Sequence, residues 1–359
     1  MNKINLLKKI YKGKKVLITG HTGFKGSWLS VVLSYLGAKI IGISLDSKNE
    51  KGPYFACKMK DKLFIDEILD VRNNDKLKDF INEVEPDFIF NLAAQALVSK
   101  SYQNPSETII TNAIGTLNIL ESIKNLKHKI VIVLITSDKC YENVETFYGY
   151  KETDSLGGKD PYSASKACAE IIANCYIRSI LNLKKNIRIA TARAGNVIGG
   201  GDWSDNRLIP DAVNHWQNNK SLEIRNPLST RPWQHVLEPV FGYLELGAYL
   251  NKNKLNETTL GGNSFNFGPR QSDNLTVESL IKIFSSHWNN SKYKILNINQ
   301  YEEAGLLNLS CDKATKILNW EPRLRIKEAL YLTANWYKEQ ANQKEMFDFT
   351  LKQIEEYLS

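Results

Sequence analysis

Lys14-Lys15-Val16-Leu17-Ile18-Thr19-Gly20-His21-Thr22-Gly23-Phe24-Lys25-Gly26 decides the fold of this chain. Its first half is a short apolar run closed by a glycine, which reads as a buried strand. Its second half spaces Gly20, Gly23 and Gly26 three residues apart. The segment Ser27 to Leu36 then shows helical apolar spacing and stops at Gly37, a residue suited to ending a helix. A second strand runs from Lys39 to Leu45 and is followed by Asp46. Strand, glycine turn, helix and strand make a βαβ unit. Glycines in that turn let the backbone approach a pyrophosphate, and the helix start offers N–H groups and the positive end of its dipole. Asp46 has the spacing of an acid that accepts hydrogen bonds from ribose hydroxyls, and its charge would repel a 2′-phosphate. The cofactor expected is therefore NAD, not NADP.

Outward from this unit the alternation continues. A third strand is expected around Phe64-Ile65 and Leu69-Asp70, a helix over 75–84 ended by Pro86, and a fourth strand over 87–94. A long helix over 108–126 follows, then the buried strand Ile130 to Ile135, a second long helix over 162–181, and a strand over 186–193. Repeated βα units predict an α/β fold: a Rossmann-type, doubly wound parallel sheet. After Ala194 the texture changes to Gly-rich and polar residues, short elements and prolines at 210, 227, 232 and 239. The expected division is an NAD-binding domain over 1–194, with a return segment at about 233–268. A smaller mixed C-terminal cap that binds substrate takes 195–232 and 269–359.

Composition narrows the function classes. The chain has 359 residues, 42% of them hydrophobic, and a formal net charge of +8. Its basic residues are scattered, which favours a cleft for a polyanionic small molecule over a nucleic-acid surface. No apolar run is long enough to cross a bilayer, so no membrane partner is expected. The start, Met1 to Ile10, reads as a short amphipathic helix or arm and not as a signal peptide. The five cysteines (57, 140, 168, 175 and 311) show no CxxC spacing. They fit free thiols in a reducing cytoplasm and no metal site.

Three further motifs carry chemistry. Thr136-Ser137-Asp138-Lys139-Cys140-Tyr141 leaves the end of the buried strand, where open α/β sheets bind ligands. Tyr162-x-x-x-Lys166 stacks a phenol and an ammonium on one helix face, and a nearby cation makes the phenolate a usable base. Ser137 can hydrogen-bond the group that Tyr162 deprotonates, and Asp138 can act as an acid if enclosure raises its pKa. Asn196, Arg207 and Arg231 suit a nucleotide diphosphate, since arginines grip phosphate oxygens with a planar fork. Trp203 and Trp233 could line a sugar or base pocket, or serve equally as cap core. His21 and His235 read as structural.

The set Thr19-Gly20-x-x-Gly23-x-x-Gly26, Asn91-Leu92-Ala93-Ala94, Tyr162-x-x-x-Lys166 and Arg193-Ala194-Gly195-Asn196-Val197 resembles the extended short-chain dehydrogenase/reductase family, the NAD-dependent epimerases and dehydratases. Gly20 to Trp28, Thr136 to Tyr141, Gly199-Gly200-Gly201-Asp202-Trp203 and Arg231 to Val236 are similar, more narrowly, to its nucleotide-sugar 4,6-dehydratases that act on CDP-glucose. The resemblance implies a hydride taken from C4 of the glucosyl unit, loss of water across C5 and C6, and return of the hydride to C6. It implies that Tyr162 takes the 4-hydroxyl proton, Lys166 holds the nicotinamide ribose, Ser137 bonds the same oxygen and Asp138 protonates the leaving 6-hydroxyl. Dehydratases acting on dTDP-glucose have a Glu after that Asp, which removes the C5 proton. Here Lys139 stands there, either as a neutral base or as a cation stabilising an enolate. Cofactor contacts are implied for Gly20, His21, Thr22, Gly23, Phe24, Gly26, Asp46, Asp70, Val71, Leu92, Ala93, Ala94, Asn112, Tyr162 and Lys166. Substrate contacts are implied for Gln95, Ser137, Asn196, Arg207 and Arg231. Pairing of the two long helices into a homodimer or homotetramer, and a part in deoxysugar synthesis for surface polysaccharide, are implied as well. The same family includes dehydratases of dTDP- and GDP-sugars and sugar-nucleotide 4-epimerases, and these stand as alternatives. A non-enzymatic NAD-binding regulator is disfavoured by the intact Tyr162, Lys166 and Asp138.

Overall fold

The computed structural model describes residues 3–47, 49–253, 255, 261–296, 306–342 and 345–359. Seven parallel strands form the central sheet: β1 (Lys15–Thr19), β2 (Lys39–Ser44), β3 (Ile65–Ile68), β4 (Phe88–Asn91), β5 (Ile130–Ile135), β6 (Ile187–Ala194) and β7 (Ser264–Phe267). Their order is β7-β6-β5-β4-β1-β2-β3. The direction of winding reverses between β1 and β4, so the carboxyl ends of those two strands open the crevice typical of such sheets.

The expected doubly wound sheet is thus present, and strand pleating explains its layers. Side chains along a strand alternate between faces. In β5, Val131, Val133 and Ile135 join a core with Trp28 and Leu29 of the helix Phe24–Tyr35 and Val240 and Leu244 of the helix Leu237–Lys252. Ile130, Ile132 and Leu134 point the other way, onto Leu77 and Ile81 of the helix Asn74–Val84 and Ile119 and Ile123 of Gly115–Ile123. All six β5 residues are buried. At about 1.5–3 kcal/mol for each large aliphatic side chain, this strand anchors the motif that leaves it. The first helix, Lys3–Tyr11, packs on the same layer as Leu237–Lys252, where the Tyr11 hydroxyl donates to Leu244 O at 2.8 Å.

Some elements differ from expectation. The third strand is the short run Ile65–Ile68, which starts within the first of the two expected pairs and stops before the second. It is an edge strand paired only to β2, so little burial patterns its sequence. The long helix over 108–126 begins earlier, at Pro105, and contains a π-helical turn, Ile110–Ile114, before Gly115–Ile123. The other long helix is Pro161–Cys175, continued by a π-helical turn, Tyr176–Ile180. Asp160 caps it by accepting from Ser163 N at 3.0 Å, and Pro161 fills its first turn.

Beyond β6 the chain builds small elements over the crest of the sheet. The helix Leu208–Gln217 lies beside a two-stranded parallel pair, Leu222–Ile224 with Tyr293–Ile295. Thr230–Arg231 pairs antiparallel with Leu275–Thr276, and Gln234–His235 pairs parallel with Val197–Ile198. The last helix, Phe347–Leu358, comes back to Phe24–Tyr35, and Met346 N donates to Ala56 O at 2.8 Å.

Candidate active site

The glycine turn is shaped by close backbone approach. Gly20 has φ +71°, and a Cβ there would sit 2.9 Å from Ala93 N. A Cβ on Gly26 would sit 2.2 Å from Gly20 O. Gly23 precedes the helix Phe24–Tyr35 and offers no side chain to cap it, so the N–H groups of the first turn face an open cradle. An anionic pyrophosphate fits that cradle. Thr19 ties the two strands at the switch point: its hydroxyl donates to Asn91 Oδ1 at 2.6 Å and accepts from Ala93 N at 3.0 Å. Asp46 is exposed just past the end of β2, and Thr22 donates to Ser44 Oγ at 3.1 Å. Leu92, Ala93 and Ala94 line the half-buried exit of β4, and Phe24 lies against Gly199.

Two of the expected cofactor residues have their side chains engaged by protein. His21 turns inward, with Nε2 2.8 Å from Asp66 Oδ1, in space left by Gly42. Burial lowers its pKa, so it is held neutral. The carboxylate of Asp70 accepts from Arg72 N at 2.9 Å and from its guanidinium at 2.6 Å, and Arg72 holds it below the usual carboxylate range. Val71 is buried against Gly115.

Asn112 is a hub inside the π-helical turn, a departure from α-geometry common at functional sites. Its amide accepts from Gln95 N at 2.8 Å and donates to Gln95 O at 3.0 Å and to Ser165 Oγ at 2.8 Å. It thereby joins the loop after β4 to the helix that carries Tyr162 and Lys166. Gln95 folds that loop with its own amide, donating to Leu97 O and Thr108 Oγ1 and accepting from Leu97 N at 2.7 Å.

Ser137, Asp138, Tyr162 and Lys166 come together in a nearly enclosed pocket, each no more than 9% exposed. Ser137 donates to Asp138 Oδ1 at 3.0 Å and accepts from Lys139 N at 3.3 Å. Asp138 Oδ2 is buried without a hydrogen-bond partner. It lies against Gly195, where a Cβ would come within 3.2 Å of it. Burial raises the Asp138 carboxyl above its ordinary value, outweighing Lys139, Ser137 and Lys25. Burial also pushes Tyr162 up to about 12, against the Ser137 hydroxyl and the Arg207 charge, and pushes Lys166 down to about 8. Tyr162 therefore rests as a phenol, not as the lowered-pKa base expected from its spacing to Lys166; burial is the stronger effect. Lys139 is half-buried beside Asp138.

Arg207 reaches this pocket. Its NH1 donates to Asp202 Oδ2 at 2.9 Å, and its charge acts on Tyr162. Asn196 is half-buried after β6, and its carbonyl accepts from Gln234 N at 3.0 Å. Arg231 is buried on its short strand, where NH1 donates to Thr230 O at 3.0 Å. Both tryptophans pack with the core: Trp203 edge-on to Tyr337, and Trp233 with its indole N–H donating to Leu275 O at 3.3 Å.

Lys25 is the residue that pattern reading passed over. It sits inside the glycine motif, and its ammonium is close enough to feel Lys166, Arg207, Asp138 and Asp202. Burial, then repulsion from Lys166 and Arg207, lowers it to about 7. The signal was available in its place between two glycines of the turn that opens on the cleft.

Comparison with known proteins shows the family and the fold. Residues 17–333 match the family model described as GDP-mannose 4,6 dehydratase. The chain is 41% identical to a CDP-glucose 4,6-dehydratase of Salmonella typhimurium, over 98% of each sequence. It is 23% identical to a CDP-paratose 2-epimerase of Salmonella typhi, over 90% of this chain and 98% of the relative. Among solved structures, the epimerase Mth375 of Methanothermobacter thermautotrophicus superimposes with a TM-score of 0.78 at 24% identity, covering 97% of both chains. The dTDP-glucose 4,6-dehydratase of Bacillus anthracis, solved in complex with NAD, gives 0.73 at 23% identity, covering 91% of this chain and 97% of that one. These two share the fold.

Proposed function

Since the chain belongs to the GDP-mannose 4,6 dehydratase family, we propose that it is a CDP-glucose 4,6-dehydratase: an NAD-dependent lyase that converts CDP-glucose to CDP-4-dehydro-6-deoxyglucose and water. The observation that carries this reading is Asp138. A carboxyl buried at the end of the central strand, raised in pKa and with one oxygen unpartnered, is suited to donate a proton. An epimerase has no step that needs it.

The glycine turn, Asp46 and Lys166 would hold NAD. When bound, NAD would supply the hydride acceptor for oxidation at C4 and the hydride donor for reduction at C6. Tyr162 accepts the proton of the sugar 4-hydroxyl, with Ser137 bonding the same oxygen. Because Tyr162 rests as a phenol, its turn as a base depends on positive charge nearby, which Arg207 supplies and which protonated Lys166, one turn along the same helix, would add. A 4-ketone acidifies the C5 proton. Lys139, half-buried next to Asp138, would take that proton, or would stabilise the enolate while water takes it, and C5 regains a proton as hydride reaches C6. Asp138 then protonates the departing 6-hydroxyl, and water leaves across C5 and C6. Arg207 and Arg231, with Asn196, would hold the nucleotide diphosphate.

A homodimer or homotetramer through the two long helices fits the exposed apolar side chains Ile109, Ile110, Ile114 and Ile171. Among the described residues no helix is long and apolar enough to cross a membrane, and a cytoplasmic site of action accords with five free cysteines. The base preference is tested by product analysis with CDP-, dTDP-, UDP- and GDP-glucose. A marked excess of dehydrated product from the CDP sugar is expected, and a preference for another base would overturn the assignment.

A further inference from the structure

Directly behind the reacting groups lies an ion pair with no part in the chemistry described so far. Glu170 follows Lys166 by four residues on the helix Pro161–Cys175, so Tyr162, Lys166 and Glu170 share one stripe. Glu170 is fully buried, and its Oε2 meets Arg193 NH2 at 2.8 Å. Its carboxylate is saturated: Oε1 accepts from Thr136 at 2.5 Å, and Oε2 accepts also from Thr191 at 2.8 Å and Ser264 at 3.1 Å. Arg193 in turn donates from NH1 to the Tyr141 hydroxyl at 2.7 Å, which donates to Asn266 Oδ1 at 2.8 Å.

Thr136 and Tyr141 are the two ends of the turn that carries Ser137 and Asp138. One side of the knot holds the first end through Glu170, and the other holds the last end through Arg193. The remaining partners come from β6 and β7, so three strands are tied to the catalytic helix. Packing alone does not call for this. A buried ion pair contributes little net stability compared with apolar residues of the same shape, and apolar residues fill the layer around it.

We propose that the Glu170–Arg193 pair is a positioning device for the reaction centre, gripping the Ser137–Asp138 turn from both ends and fixing a negative charge one helical turn from Lys166. This rests on the dehydratase reading of that centre. Lys166 is faced by Glu170 on its own helix, by Cys140 on the turn after β5 and by Lys25 from the helix Phe24–Tyr35. Glu170 is faced by Arg193, Cys140 and Lys313. Among the described residues Glu170 is thus the one carboxylate acting on Lys166, and with Cys140 it opposes the burial that drives the lysine toward its neutral form.

Two variants test this. Glu170→Gln combined with Arg193→Met removes both charges together, which avoids leaving one buried and unpaired. The alkaline limb of its kcat profile should move to lower pH by about one unit, with kcat at pH 8 down about fivefold and KM within about twofold. A folded double variant whose alkaline limb stays at the wild-type pH overturns the electrostatic role. Thr136→Val keeps both charges and removes one grip on the turn. A fall in kcat of about fivefold or more, with the pH profile unmoved, is expected; unchanged kcat overturns the gripping role. Wild-type protein that fails to dehydrate CDP-glucose would count against the function and not against the pair.

Discussion

Replacing Asp138 by Asn separates binding from elimination. The side chain keeps its shape and its Oδ1, so Ser137 retains its acceptor at 3.0 Å. The new amide group takes the place of Oδ2, which has no hydrogen-bond partner to lose. Folding stability should therefore change by less than about 1 kcal/mol. The chemical loss is much larger, because an amide cannot donate a proton to a leaving hydroxyl. A positioned general acid is worth roughly 10²–10⁴-fold, which is about 3–5 kcal/mol of barrier. The sign follows from burial, which raises the Asp138 carboxyl above its ordinary value and so favours the protonated acid. The assay follows the C6 methyl signal of the product by proton NMR, with NAD binding measured in parallel by tryptophan fluorescence. The expected result is NAD affinity within about twofold of wild type and dehydration reduced at least a hundredfold, the lower end of that range. Dehydration within about threefold of wild type would refute the assignment of Asp138 as the acid.

Glu238 offers a separate test of burial. It accepts from Arg323 N, Leu324 N and the Tyr357 hydroxyl, and burial raises its pKa from 4.5 to about 7. The folded protein therefore holds a proton that the unfolded chain releases, so this contribution is full below pH 4.5 and is lost as pH rises through about 7. At about 1.4 kcal/mol per pH unit the loss is about 3 kcal/mol. Glu238→Gln, which cannot ionise, should flatten the fall in the urea midpoint between acid and alkaline pH; parallel pH dependences for variant and wild type would count against it. Gly26→Ala sets a Cβ 2.2 Å from a backbone oxygen that cannot swing away, so the cradle must open. NAD affinity should fall at least about tenfold by fluorescence titration, and unchanged affinity would show that the turn does not hold the cofactor.

Much of this architecture is written in local pattern. The run from Ile130 to Ile135 is apolar at every position because both faces of β5 are covered, and the glycine turn has its spacing because backbone must meet backbone at Gly20, Gly26 and Ala93. Asp160-Pro161 marked a helix start that the structure shows as a capped first turn. Features set by three-dimensional neighbours were less legible. The π-helical turn that aims Asn112 at Gln95 and Ser165 has no period of its own in the sequence. Tyr162 next to Lys166 suggested a lowered phenol pKa, but burial depends on the whole pocket and raises it. Glu170 and Arg193 lie on different elements, and nothing local said that they face each other.

Transfer of hydrogen within one sugar is the centre of the account. CDP-glucose carrying deuterium at C4 should give CDP-4-dehydro-6-deoxyglucose with that deuterium on C6, as shown by NMR of the product methyl group. Deuterium left at C4 of a recovered or epimerised sugar, with no methyl group formed, would contradict it.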